Sequence, residues 1–220
     1  MKQHLLAVAV VVGLVATGSA SRAGTWDFRF SGAGISGSGQ LTYGPDTVLG
    51  DPVGAFAITG MTGLFSDSTL GLTDVAITGV VPIAPLAVPK DAPFPASFST
   101  YPAPNPTHPG EGISYTNLFY PGGSPIACPD YPGAGGYLDV FGVMFTLSNG
   151  YIVDLWSNGT WPGGPPLSYG AAVIDPTNTV ARYQNDGLML TAVPEPGSLL
   201  MLGTGLVGVL SLGRRIRRVA

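Results

Sequence analysis

Glycine and proline supply about a quarter of this 220-residue chain, 33 and 21 residues respectively, which lies at the edge of the range typical of disorder. That density is the strongest constraint on what the chain can build. Proline removes a backbone donor and fixes φ, and glycine weakens the interior of any helix. Yet 45% of the residues are hydrophobic, and they fall in short alternating runs between the turn formers. Between residues 24 and 193 no stretch repeats apolar residues at helical spacing over three turns. The pattern therefore predicts an all-β domain, an antiparallel sandwich or barrel-like fold of about eight to ten strands.

The first strand is expected at Thr25 to Ser31, with Trp26, Phe28 and Phe30 on one face and Asp27, Arg29 and Ser31 on the other. Ile35 to Tyr43 reads as a Gly/Ser-rich strand. Ala55 to Thr62 and Leu72 to Val81 follow, sharing the string AITG, a reused strand end and turn. Nine prolines then fall between Pro82 and Pro109. No central strand tolerates that density, so residues 81–110 are expected to form an irregular, polyproline-like insertion over the sheet. Phe94, Phe98 and Tyr101 would anchor it. The strongest hairpin signal comes later: YLDVFGVMFTL and YIVDLW flank Ser148-Asn149-Gly150. Phe141, Val143, Phe145 and Leu147 would share one face of its first strand. Leu167 to Ile174, Thr179 to Gln184 and Gly187 to Val193 are the remaining strand candidates.

Both ends carry a different signal. Residues 1–23 have Lys2 as a positive n-region, an apolar run from Leu5 to Val15 and then small residues, the order of a secretory signal peptide. Cleavage is expected between Ala23 and Gly24, with Gly18-Ser19-Ala20 as a rival site. At the other end Pro194-Glu195-Pro196 stops regular structure. An uncharged segment, residues 197–213, follows; its roughly 17 residues would cover about 25 Å of a hydrocarbon core near 30 Å as a single helix. Arg214, Arg215, Arg217 and Arg218 then supply the positive charge that stays on the cytoplasmic side.

This tripartite order resembles the PEP-CTERM sorting signal of bacterial surface proteins, over Val193 to Ala220. The resemblance implies an exosortase-type membrane protease as partner. It also implies a transient stay in the inner membrane, a cut near the motif, and delivery to the cell surface or beyond. The body between the signals also resembles a domain that recurs in front of such tails. The matching pieces are the GAGISGSGQLT opening, FAITGMTGLFSD, the later ITG, NLFYPGG, and the run from Gly135 to Trp156. That second resemblance implies an exported β domain over residues 24–192 and supplies no catalytic residue.

Without its two ends the body is acidic. From Gly24 to Val193, three bases (Arg29, Lys90, Arg182) face twelve acids, a balance of −9. Nucleic acid and anionic lipid are poor partners for such a surface. Cys128 is the only cysteine, so no internal disulfide can form; it reads as a small structural residue or an intermolecular crosslink. His108 is the only histidine of the body, sits among Pro106, Pro109 and Gly110, and reads as a surface residue. No GxSxG elbow and no HExxH occurs. No cofactor or metal is called for, although loop oxygens of Asp67 with Asp74 or Asp130 would be the place to look for calcium. Asp139 and Asp154, expected on facing strands and solvated, are the carboxylate pair that glycan hydrolysis would need.

Aromatic residues near loops offer an alternative. Trp156, Trp161, Tyr120 and Tyr151 would be the rings of a sugar platform, or equally the packing of the sheet and its edges. The sequence thus points to an exported, non-enzymatic surface or matrix protein. Binding of exopolysaccharide is the alternative, and a carboxylate-based hydrolase stands behind both.

Overall fold

The computed structural model describes residues 23–84 and 94–193; the expected signal peptide, the centre of the proline-rich stretch and the expected span at 197–213 lie outside them. Alternation becomes pleat from the first strand onward. β1 (Gly24–Gly32), β2 (Ile35–Pro45), β3 (Phe56–Asp67) and β4 (Leu72–Val80) run as an antiparallel meander. A long excursion through residues 81–142 carries three short strands, β5 (Ser99–Tyr101), β6 (Ile113–Tyr115) and β7 (Leu118–Phe119). The meander then resumes with β8 (Val143–Leu147), β9 (Ile152–Ser157), β10 (Tyr169–Ile174) and β11 (Val180–Ala192). β4 pairs with β8, and β11 returns to β1. Eight strands therefore close into an antiparallel barrel, which decides between the two architectures that the sequence left open. No helix occurs among the described residues.

An eight-stranded barrel has an interior just wide enough for side chains to fill. Phe30, Phe65 and Phe145, from three different strands, meet there with ring centroids 6.3–6.5 Å apart. Ile35, Leu41, Met61, Ile77, Val153, Leu155, Val173 and Leu188 pack round them. The glycines of β2 are part of this packing. Gly37 lies across from Phe30, and a Cβ there would come within 2.4 Å of the ring. Gly39 pairs with Gly63 of β3 so closely that a Cβ on Gly39 would sit 2.0 Å from the Thr62 carbonyl oxygen. The Gly/Ser-rich strand is thus the thin wall that lets Phe28 and Phe30 enter.

The two barrel ends are closed differently. At one, Phe119, Tyr137 and Leu138 of the excursion plug the opening against Trp26 and Tyr43; the Trp26–Tyr137 centroids are 4.9 Å apart. At the other, the Arg182 guanidinium of β11 donates to Asp67, to the Thr69 hydroxyl and to the Ala33 carbonyl, tying together the β1–β2 and β3–β4 turns.

The hairpin of β8 and β9 turns at Gly150, whose φ is +86°. Val143, Phe145 and Leu147 face inward as the alternation requires. Phe141 departs from that expectation. The strand starts only at Val143, and Phe141 packs edge-on against Phe94 and Phe98 of the excursion. The two last strand candidates are one strand, β11, with a register shift opposite Tyr169 and Ala171. Gly39→Ala is expected to destabilise the barrel by about 3 kcal/mol, because the new methyl meets backbone and cannot be relieved by a rotamer change. Urea unfolding of wild type and variant measures it, and a change below about 1 kcal/mol would contradict the close crossing.

Candidate functional site

β8, β9 and β10 are buried on both faces. One face lines the barrel, and the excursion covers much of the other. Met144 and Ile174 pack outward under Ala103, Ile113 and Tyr115. Asn117, in a left-handed backbone conformation, bridges the seam: its amide donates to the Val81 carbonyl (2.7 Å) and accepts from the Met144 amide (2.9 Å).

Two buried aspartates lie in this layer. Asp139 precedes β8 and is not on the strand. Its carboxylate accepts from Thr116 Oγ1 (3.0 Å), Tyr120 Oη (3.2 Å) and the backbone amides of Phe141 (3.0 Å) and Gly142 (2.9 Å). It pins the end of the excursion to the start of β8. Burial nevertheless outweighs those donors and pushes its carboxyl up to about 6. Asp154 is on the outer face of β9, only 2% exposed, and its Oδ1 has no hydrogen-bond partner. Burial first, and the neighbouring Asp139 second, hold its carboxyl well above the ordinary range. The expectation of solvated carboxylates is corrected for both: the excursion takes them out of water.

Asp154 opens into a pocket of about 360 Å³ between the barrel wall and the excursion. Trp156, two residues along β9, shares its face and lines the same pocket, its indole lying over Gly170 and donating to Asn158 Oδ1 at 3.2 Å. Tyr183 stands beside it, with centroids 5.3 Å apart. The register shift in β11 brings Asn185 to the rim. The facing wall comes from the excursion: Ile113 and Ser114 of β6, His108, and Cys128 with Asp130 and Tyr131.

The structure separates most of the residues singled out from sequence. Of the four rings, only Trp156 lines the pocket. Tyr120 is enclosed in the core with its hydroxyl committed to Asp139, which removes it from any sugar platform. Tyr151 packs half-buried against the barrel core, and Trp161 stands edge-on to Tyr131, 5.9 Å between centroids. His108 is exposed at the pocket and shares a hydrogen bond with Thr107. Cys128 is a half-buried free thiol on the pocket wall. The calcium candidates are dispersed: Asp67 pairs with Arg182 at 3.2 Å, Asp74 is exposed and bonded to Ser66, and Asp130 is at the pocket. Among the described residues no three His, Cys, Asp or Glu side chains are grouped to hold a metal. Pocket residues missed from sequence include Ser114 and Tyr131 of the excursion and Tyr183 and Asn185 of β11. Asp154 and Trp156, at i and i+2 of one strand, carried the one signal that could have located it.

β11, the strand that closes the barrel, ends at Ala192, and the Val193 amide still donates to the Asp27 carbonyl at 2.9 Å. There the match to known proteins begins. Residues 192–218 carry the PEP-CTERM protein-sorting motif. The motif marks proteins that an exosortase, a membrane protease, processes during export and membrane-anchored sorting to the cell surface. No curated protein and no solved structure matches the chain. No helix among the described residues is long and apolar enough to cross a membrane; the expected span, 197–213, lies outside them.

The buried aspartates set the sign of the response to pH. An aspartate in the unfolded chain titrates near 3.9, whereas native Asp139 holds its proton up to about 6. Between those values the native state binds more protons than the unfolded state, so this contribution to stability falls as pH rises. The thermal midpoint is expected to climb on acidification from about pH 6.5 to about pH 4.5. Asp154→Asn, which removes a buried carboxyl without orphaning a donor, should raise the midpoint at pH 7 and flatten the profile. Calorimetry across that window checks both; a midpoint that drops steadily on acidification contradicts the assignment.

Proposed function

We propose that the chain is an exported surface protein whose β-barrel is the delivered part, acting outside the membrane in a structural or interaction role without catalysis. The observation that carries the reading is where the sorting motif begins relative to the fold. The motif match starts at residue 192, where the closing strand ends. A cut near Pro194-Glu195-Pro196 would therefore remove the apolar segment and the arginines and leave every barrel pairing intact. The N-terminal side mirrors it, since β1 starts at Gly24, the first residue after the expected signal cleavage. β1 and β11 are hydrogen-bonded neighbours, with Phe28 opposite Ala192. On this reading both expected processing points lie beside one seam, at the ends of the folded unit.

The non-catalytic part of the reading is supported by the carboxylates. Hydrolysis of a glycan by an acid pair needs both acids facing one cleft. Asp154 faces the pocket, while Asp139 is enclosed and saturated by its donors. The other acid at the pocket, Asp130, is exposed. The same pocket favours a second reading, in which the barrel is an interaction domain for the polysaccharide of the surface matrix.

Intact-mass measurement of the protein recovered from cells tests the sorting assignment. A mature species beginning at Gly24 and ending near Glu195 is expected, and it should disappear into an unprocessed form when Glu195 is replaced by Lys. An Arg-terminated chain in otherwise wild-type cells would sink the processing step.

A further inference from the structure

We infer that the pocket between β9, β11 and the excursion binds a neutral polyhydroxyl ligand, a terminal sugar unit, with Asp154 on its floor and Trp156 and Tyr183 as its wall. The inference rests on the interaction-domain reading and gives it a site and a ligand class.

Size is the first support. A pocket of about 360 Å³ lies at the small end of the roughly 300–1,000 Å³ found for small-molecule sites. Its lining is the second. Trp156, Tyr183, Tyr131 and Phe141 give it aromatic character, suited to the C–H faces of a ring. Between those rings stand groups that address hydroxyls: Ser114, Asn185 and His108. The third is Asp154. Its Oδ1 is buried without a partner, and a buried polar atom left unpaired carries its desolvation penalty uncompensated. A ligand hydroxyl, which donates and accepts in one group, would relieve that cost.

The charge inventory selects among ligand classes. No lysine or arginine lines the pocket among the described residues, so an anion would meet the Asp130 carboxyl at the rim with His108 as the one basic side chain beside it. That disfavours phosphates and uronates. A cation would need Asp154 to ionise beside the equally buried Asp139, where two charges would share one dry layer. A neutral carboxyl, donating through one oxygen and accepting through the other, is free of that conflict. A hydroxylated ring matches it.

The test uses the full chain purified in detergent and isothermal titration with three sets of probes. These are neutral hexose, pentose and N-acetylhexosamine mono- and disaccharides; a hexuronate; and tetramethylammonium. Saturable binding of at least one neutral saccharide is expected, with neither charged probe competing. Asn185→Trp, at an exposed rim position, should weaken that binding by about tenfold or more by blocking entry. Asp154→Leu should weaken it by a similar factor of about ten, whereas Asp154→Asn, which still donates and accepts, should stay within about threefold of wild type. Absence of saturable binding by every neutral saccharide up to about 20 mM would overturn the proposal. So would an affinity unchanged in Asn185→Trp, or abolished in a folded Asp154→Asn, the signature of a carboxylate that must be ionised to hold the sugar. Cleavage of a bound glycoside would uphold the site while overturning the non-catalytic role. The mature-terminus mass reads the sorting step independently, so failure of either assignment is visible by itself.

Discussion

Closure of the barrel by its first and last strands is the constraint on which the rest of the molecule depends. β1 and β11 are separated by almost the whole described chain, yet they pair from Phe28–Ala192 to Ser31–Met189. A β-sheet with free edges exposes rows of unpaired amides and carbonyls, an invitation to associate with other chains. Closure removes the edges, and it does so for a domain with no disulfide to assist it. It also places both ends of the folded unit side by side. A sorting motif can then follow the closing strand without disturbing the interior. The PEP-CTERM motif match begins at residue 192, the last residue of β11.

The long excursion is the second organising feature. It leaves between β4 and β8, where a meander would otherwise turn back in a few residues, and it plugs one barrel end with Phe119 and Tyr137. It also roofs the outer face of β8, β9 and β10. A roof over a sheet buries whatever the outer face carries, and here it buries Asp154. Asp139 holds the roof in place through its donors, and its electrostatic effect on Asp154 helps keep that group's proton on. One carboxylate is spent on architecture, and the other is left facing a pocket.

Much of the barrel was legible in the sequence because a half-buried strand must alternate. Trp26, Phe28 and Phe30 on β1, and Val143, Phe145 and Leu147 on β8, could be assigned to one face without coordinates. The Asn-Gly turn at 149–150 announced its hairpin for the same local reason. Phe141 was misplaced because alternation continues through Gly142 on paper, while Asp139 draws the amides of Phe141 and Gly142 into a turn before the strand begins. Tyr120 read as a loop aromatic because its neighbours are Pro121 and two glycines. Its burial comes from the plug, a long-range contact that no local pattern reports. The pocket had the same fate: Asp154 and Trp156 were visible as a pair on one strand, but the residues opposite come from the excursion and from β11.

Composition, strand periodicity and the terminal signals determined that this chain is all-β, acidic in its body, unstapled by disulfides and addressed to the cell surface. Those properties are local, written in spacing and side-chain chemistry. The tertiary structure decided between sandwich and barrel, because closure depends on whether the first strand meets the last. It decided the state of Asp139 and Asp154, because a carboxyl's proton affinity depends on how much water and charge surround it. It also decided that Trp156 lines a pocket while Tyr120 fills a core, because only folding brings the excursion across the barrel wall.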